Sequence, residues 1–249
     1  MALVHVHYHS LALDKQCGLF ATIPDAAEPP RPVVYLLHGL SDDYSGWQRH
    51  TSVERLADEL KLCVVMPDGG RSYYLDAQDG SGDWERHILE TVAFYERSFR
   101  VRSGRTARGI AGLSMGGYGA MKIALRHPGM FASTTPLSGV LDISKWDESP
   151  ERRAVLARVT GGRPPASEDC FQLISNLQRG RAVIPRMRLV CGTEDGLIVH
   201  QRDFHAHLEK LGIDHEYAEH PGGHDWRFWD LHLGAALTFH RQVFDAHVR

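Results

Sequence analysis

Gly112-Leu113-Ser114-Met115-Gly116 has the pattern Gly-x-Ser-x-Gly. A serine so flanked can act as a nucleophile if the backbone turns sharply from a strand into a helix. Such a turn is strained, leaves the hydroxyl exposed, and needs small neighbours because a Cβ would strike the adjoining strand or helix. The preceding residues, Ala107-Arg108-Gly109-Ile110-Ala111, are short and partly apolar and read as a strand, and Gly117 to Leu125 reads as a helix. A helix beginning here offers unpaired N–H groups where an oxyanion would form. Glycine and serine are common, so the pentapeptide alone is a weak signal and the partners of Ser114 must decide.

A serine hydroxyl is a poor nucleophile at neutral pH. It needs a base within hydrogen-bond reach, and the base needs an orienting acid. On a strand–turn–helix scaffold of this type the chain order is serine, acid, histidine. The acid expected is Asp195, after the strand that ends in Cys191-Gly192; Glu194, one position away, could serve instead. Sixteen histidines compete for the base. His224 follows the last short strand and precedes the last helix, and Gly222-Gly223 before it allow a loop that carries the imidazole over the sheet edge. His220 is its nearest rival, whereas His232 and His240 read as helix-surface residues. For the oxyanion, one donor is expected at the Met115 N–H and the second at Leu40, in His38-Gly39-Leu40 after an earlier strand. His38 precedes the serine, an unsuitable order for a base, and is assigned to loop structure.

These groups need elements to position them. Val33 to Leu37 and Leu62 to Met66 are continuous apolar runs of β-forming residues, as in strands buried on both faces. Further strands are expected over Phe131 to Leu137, Met187 to Cys191 and His215 to Ala218, and helices over Val53 to Leu60, Trp84 to Phe99, Val199 to Leu211 and Trp226 to Val243. Alternation of this kind predicts an α/β fold: a mostly parallel central sheet with helices on both faces. One domain is expected over residues 1–249, with residues 139–184, the least regular region, as a small cap insertion. Near the N-terminus, Val4 to His9 alternates as a strand and Cys17 to Ile23 returns as its hairpin partner. His5, His7 and His9 share one face of that strand; the row reads as a solvent or interface face rather than a metal site, and it could pair subunits into a homo-oligomer.

Composition sets outer limits. The apolar fraction of 43% and charged fraction of 24% are ordinary for a soluble globular chain. A formal net charge of −3 argues against a nucleic-acid partner. No run approaches the ~18 apolar residues of a membrane span, and no N-terminal signal peptide is visible, because His5, His7 and His9 interrupt the apolar character. Cys17, Cys63, Cys170 and Cys191 form no Cys-x-x-Cys motif, so a reducing, cytoplasmic setting is expected.

With these pieces assembled, the chain resembles the α/β-hydrolase superfamily and, within it, the "Putative esterase" (esterase D-like) family. The resemblance is carried by Leu36 to Trp47, Val64-Val65-Met66-Pro67-Asp68, Ala111 to Ala120, Cys191-Gly192-Thr193-Glu194-Asp195 and Gly223-His224-Asp225-Trp226, and it spans nearly the whole chain, from about His5 to His240. It is closest in character to compact tributyrin-type esterases; S-formylglutathione hydrolases, feruloyl and acetylxylan esterases and mycolyltransferases are similar relatives. The resemblance implies nucleophile Ser114, acid Asp195, base His224, oxyanion donors Leu40 and Met115, a small-molecule ester substrate, and neither metal nor organic cofactor. It implies hydrolysis of short-chain acyl esters through an acyl-enzyme. Alternatives on the same site are thioester hydrolysis, acetyl or feruloyl carbohydrate ester hydrolysis, and acyl transfer. Trp47, Trp146 and Trp226 could narrow the substrate pocket. Two departures bear on the thioester alternative: S-formylglutathione hydrolases usually carry His where this chain has Leu113, and a cysteine soon after the turn that is followed here by Ser41-Asp42-Asp43.

Overall fold

The computed structural model describes residues 1–25, 30–144, 150–162 and 164–247, with Glu151 described by its backbone alone. The alternation of the two central apolar runs sets the architecture. Along β3 (Val33–Leu37), Val33, Tyr35 and Leu37 enter one core while Val34 and Leu36 enter another; along β4 (Cys63–Pro67), Cys63 and Val65 divide in the same way from Val64 and Met66. Strands apolar on both faces require cover on both faces. On one side it comes from α3 (Trp84–Ser98), α4 (Met115–Arg126), α6 (Cys170–Arg179) and α7 (Ile198–Leu211). On the other it comes from α1 (Gly46–His50), α2 (Val53–Leu60) and the long α8 (Trp226–Ala246).

The remaining strands are β1 (Ala2–Ser10), β2 (Lys15–Ile23), β5 (Arg108–Leu113), β6 (Ser133–Leu137), β7 (Arg186–Gly192) and β8 (Glu216–His220). They form one eight-stranded sheet in the order β1-β2-β4-β3-β5-β6-β7-β8. The β1–β2 hairpin is antiparallel, β2 pairs antiparallel with β4, and every pairing from β4 to β8 is parallel. The predicted α/β class with a mostly parallel sheet is the observed one. β1 is an edge of the sheet, with His5, His7 and His9 exposed on it; the His5 imidazole meets the Tyr44 hydroxyl at 3.2 Å. Among the described residues no helix is long and apolar enough to cross a membrane.

The order of strands selects a place for chemistry. The chain leaves β3 toward β4 on one side, while β5, on the other side of β3, leads away to β6. Connections that depart in opposite directions open a crevice at the carboxyl ends of the two strands. Parallel register aligns those ends: Leu37 pairs with Gly112, Leu113 with Leu137, Leu137 with Val190, and Gly192 with His220. The loops that begin at His38, Ser114, Ser138, Thr193 and Pro221 therefore gather along one edge.

The segment between β6 and β7, read as a cap, divides in two. Its α6 is ordinary sheet cover, with Cys170 and Ile174 in the core. Its α5 (Pro150–Thr160) places Leu156 and Val159 in the same core and also leans on the loop after β4: Gln78 N–H donates to the Val159 carbonyl at 2.9 Å, and the Arg158 guanidinium to the Arg71 carbonyl at 3.1 Å.

Beneath the α4 turn lies a buried ion network. Lys122, fully buried on α4, donates to the Tyr74 carbonyl at 2.6 Å and to Glu85 at 2.5 Å. Glu85 also receives His127 at 2.7 Å and Arg126 at 3.1 Å. Burial alone would raise the Glu85 pKa; the charge of Lys122, the hydrogen bonds from His127 and Lys122, and the charge of Arg126 outweigh it and hold the carboxyl at about 2. Glu168 also lies 3.3 Å from Lys122, so removing Glu85 leaves the buried charges only partly matched, at a cost of up to about 3–5 kcal/mol. We therefore expect Glu85→Gln to lower stability at neutral pH by about that amount. The sign with pH follows from the lowered value: the stabilisation is complete above the ordinary 4.5 and is lost as pH falls toward about 2. Urea midpoints measured from pH 7 to pH 2 should fall more steeply for the parent than for Glu85→Gln; equal acid slopes would contradict this account.

Candidate active site

Ser114 occupies the turn between β5 and α4 with φ 53° and ψ −116°, a backbone state that L-residues seldom adopt. Its own amide is bound to the Leu137 carbonyl at 2.9 Å, and its carbonyl accepts from Tyr118 N–H at 3.1 Å. The flanking glycines are demanded by close approach: a Cβ on Gly112 would lie 2.4 Å from the Gly116 oxygen, and one on Gly116 would lie 2.4 Å from the Leu37 oxygen. The turn is thus pressed against β3 and projects its hydroxyl over the sheet edge.

From that hydroxyl a hydrogen-bond chain runs inward. His224 Nε2 is 3.0 Å from Ser114 Oγ, and His224 Nδ1 is 2.8 Å from Asp195 Oδ2. Asp195 is 2% exposed, and its other oxygen accepts the Leu197 N–H at 2.8 Å. Burial pushes its pKa upward, but the hydrogen bond and charge of His224, the Leu197 N–H and the Ser138 hydroxyl override it and leave the carboxyl below its ordinary value. An ionised acceptor at Nδ1 fixes the imidazole tautomer with Nε2 free to take a proton. Of the two acids considered, the chain contains Asp195; Glu194 is exposed beside it. Of the two histidines, it contains His224; His220 is stacked on His232 at 4.2 Å. His240, read as a helix-surface residue, is fully buried, its Nδ1 2.6 Å from Ser133 Oγ. A helix packed on a sheet has an inner face as well as an outer one, and His240 lies on the inner.

The acid and base loops are locked together. Thr193 N–H donates to the His220 carbonyl at 2.8 Å and Glu194 N–H to that of Gly222 at 3.0 Å. A Cβ on Gly192 would lie 2.1 Å from the Gly222 oxygen, so glycine permits this contact. The loop after β3 is held equally firmly. His38 is buried; its Nε2 accepts the Gly69 N–H at 2.8 Å, leaving Nδ1 to donate to the Gly39 carbonyl at 2.7 Å. With both ring nitrogens engaged, His38 shapes the loop, as read from its position in the chain. Leu40, next to Gly39, borders the same cleft as Ser114. Met115 opens α4, where a first-turn N–H has no intrahelical partner.

Ser114 and His224 line a cleft of about 480 Å³, whose walls include Tyr73, Val140, Trp226 and Trp229. The three tryptophans expected there fare differently. Trp226 lines the cleft. Trp47 does not: it is fully buried, its indole N–H donates to the Leu37 carbonyl at 3.0 Å, and its ring meets the edge of Trp226 at 5.3 Å. It backs Trp226 because an apolar ring with a carbonyl for its N–H is stable in the core. Trp146 lies outside the described residues. The sequence reading missed Trp229, which packs edge-on against His224 at 4.9 Å and donates to the Ser138 hydroxyl at 3.2 Å. Its signal was its place three residues after Trp226, on the same helix face. Ser138, in the left-handed region at φ 50°, was also missed. It follows β6 as Ser114 follows β5, and parallel register alone puts it at the site.

A family model described as "Putative esterase" matches residues 10–240. An acetyl esterase of Caldicellulosiruptor saccharolyticus is 29% identical over 266 aligned positions, covering 98% of this chain and 100% of that protein. Two solved structures from Staphylococcus aureus are similar across 96% of this chain and 98% of theirs. The fluorophosphonate-binding serine hydrolase FphF is 30% identical with a TM-score of 0.86. The S-formylglutathione hydrolase FrmB is 29% identical with a TM-score of 0.84. The family match covers nearly the whole sheet, from the end of β1 into α8. The chain belongs to the "Putative esterase" family, and is a serine hydrolase of the α/β-hydrolase type acting on carboxylic esters.

Proposed function

We propose that this enzyme hydrolyses short-chain acyl esters through an acyl-enzyme on Ser114. The observation that carries the reading is the unbroken chain Ser114–His224–Asp195, at 3.0 and 2.8 Å, with its hydroxyl end in the cleft. In the first half-reaction Ser114 Oγ bonds to the ester carbonyl carbon and its proton passes to His224 Nε2. The carbonyl oxygen becomes an oxyanion held by the Leu40 and Met115 N–H groups. When the tetrahedral adduct collapses, the bond to the alcohol oxygen breaks and His224 returns the proton to the leaving alcohol. A water then attacks the acyl-enzyme, gives a proton to His224, and the carboxylic acid departs as Ser114 regains its hydrogen. Asp195, ionised and buried, balances the imidazolium at both adducts. The walls of the cleft, with Trp226 and Trp229, favour small acyl groups, and α5 serves as the covering part of the cap. Free, buried thiols at Cys17, Cys63, Cys170 and Cys191 suit a reducing, cytoplasmic setting.

A second reading is thioester hydrolysis, favoured by the similarity to FrmB over nearly the full length of both chains. It shares every step above with a thiol as leaving group. S-formylglutathione assayed beside simple esters separates the two.

Ser114→Ala should lower kcat on p-nitrophenyl acetate by on the order of 10⁶, and Asp195→Asn by on the order of 10⁴, because the first removes the nucleophile and the second frees the tautomer. A fluorophosphonate probe should label the parent at Ser114. Parental turnover by purified Ser114→Ala would end the proposal.

The acyl preference is tested separately with acetyl, butyryl and decanoyl p-nitrophenyl esters. Activity should fall along the series; equal kcat/KM for acetyl and decanoyl esters would refute it.

A further inference from the structure

Two guanidinium groups line the cleft that holds Ser114. Arg71 belongs to the loop after β4, and Arg152 to the first turn of α5. Several arginines elsewhere are matched to carboxylates: Arg108 to Glu96 at 2.6 Å, Arg186 to Asp214 at 2.6 Å, Arg202 to Glu219 at 2.7 Å and Arg241 to Asp245 at 2.8 Å. Arg158, on the same helix as Arg152, faces Asp79 at 3.7 Å. Among the described residues neither Arg71 nor Arg152 has a carboxylate within ion-pair distance. Two unmatched cations in the reaction cleft of a chain with net charge −3 call for a partner that arrives with the substrate.

The site is built rather than incidental. The backbone around Arg71 is pinned from four sides. Its carbonyl accepts from Arg158 at 3.1 Å, and the neighbouring Ser72 hydroxyl donates to the Gly69 carbonyl at 2.5 Å. Tyr73 N–H reaches the Met115 sulfur at 3.3 Å, and the Tyr74 hydroxyl donates to the His38 carbonyl at 3.0 Å. Tyr73 and Tyr74 both lie in the left-handed region, at φ 53° and 54°. The backbone at Arg71 is thereby fixed relative to the two turns that bear Leu40 and Met115, α5, which carries Arg152, is docked on the same loop, and both side chains are exposed to the cleft. The cleft's own carboxylates are placed otherwise. Asp225 is occupied in capping α8, accepting from Arg227 and Phe228 N–H at 2.9 and 3.1 Å. Asp42 sits on the β3 loop, which also borders a separate depression that contains Arg49.

We infer that the cleft selects esters that carry a carboxylate, with Arg71 and Arg152 holding that carboxylate while Ser114 takes the acyl carbon; the inference rests on the esterase reading above. A guanidinium offers paired donors matched to a carboxylate, and two of them from different elements fix its position as well as its charge. The carboxylate can sit on the acyl part or on the alcohol part of the ester, and matched substrates distinguish these. Mono-(p-nitrophenyl) glutarate against its methyl ester places the charge on the acyl side. 4-Acetoxybenzoate against methyl 4-acetoxybenzoate places it on the leaving group.

The quantity to measure is the ratio of kcat/KM for the charged over the neutral member of each pair, which cancels losses of folded enzyme. In one of the pairs the parent should prefer the charged ester, and Arg71→Gln with Arg152→Gln should lower that ratio by about tenfold or more, mainly through KM. The corresponding double lysine variant should retain more of the preference than the glutamine variant. Ratios unchanged by the glutamine pair, for both substrate pairs, would overturn the inference while leaving the esterase reading intact. Failure of that reading has its own signature, no hydrolysis of any of the four esters and no fluorophosphonate labelling of Ser114, and it would overturn both.

Discussion

The turn at Ser114 is the constraint on which the rest of the structure depends. A positive φ on a residue with a side chain costs of order 1–3 kcal/mol, and it persists only where surrounding contacts over-determine it. Here they do. The amide of Ser114 is tied to β6, its carbonyl to α4, and Gly116 lies so near the Leu37 carbonyl that no side chain would fit. The same closeness that forces glycine at 112 and 116 brings the end of β3 alongside Ser114, and with it the loop that bears Leu40. The approach of the Leu40 loop to Ser114 is therefore a by-product of packing one turn against one neighbouring strand.

Support for that turn extends below it. α4 starts at Met115 and must stay docked on the sheet for Ser114 to keep its position. Its underside carries Lys122, a charge with no exposure at all, held by Glu85 from α3 and by the Tyr74 carbonyl from the loop after β4. A buried ion set contributes little net stability compared with apolar packing, yet it is unforgiving of displacement. In this chain it joins α3, α4 and the Arg71–Tyr74 loop at one point, so the register of α4 and the position of that loop are coupled.

The sequence exposed the frame and the Ser114–His224–Asp195 grouping more readily than the cleft walls. β3 and β4 were legible because a strand covered on both faces must be apolar at every position, and α8 because Trp226 to Val243 is long and periodic. Ser114, Asp195 and His224 were legible because each follows a strand, and parallel register carries strand ends to one edge whatever the intervening lengths. Trp47 shows where that logic stops: residue type cannot say which side of Trp226 an indole lies on, and a carbonyl for its N–H at Leu37 decided for the core. His240 misled in the opposite direction, since a polar residue on a helix can face inward when a hydroxyl such as that of Ser133 receives it. Arg71 and Arg152 escaped notice because their place in the cleft comes from tertiary docking of a loop and of α5, which leaves no periodicity and no local motif.

That division has a consequence for how the site can vary. The Ser114–His224–Asp195 chain rests on strand ends and on loop contacts between backbones, such as Thr193 to His220 and Glu194 to Gly222, which tolerate many side chains. The cleft walls rest on side chains from α5, from the loop after β4 and from the start of α8. Chemistry and selectivity are thus carried by different parts of the chain. A change at Arg71 or Arg152 leaves the bonds that orient His224 in place, whereas a side chain at Gly192 or Gly116 forces backbone apart beneath the Ser114–His224–Asp195 chain. The Ser114–His224–Asp195 chain is built into the sheet, while the arginines and tryptophans of the cleft are brought over it by loops and helices.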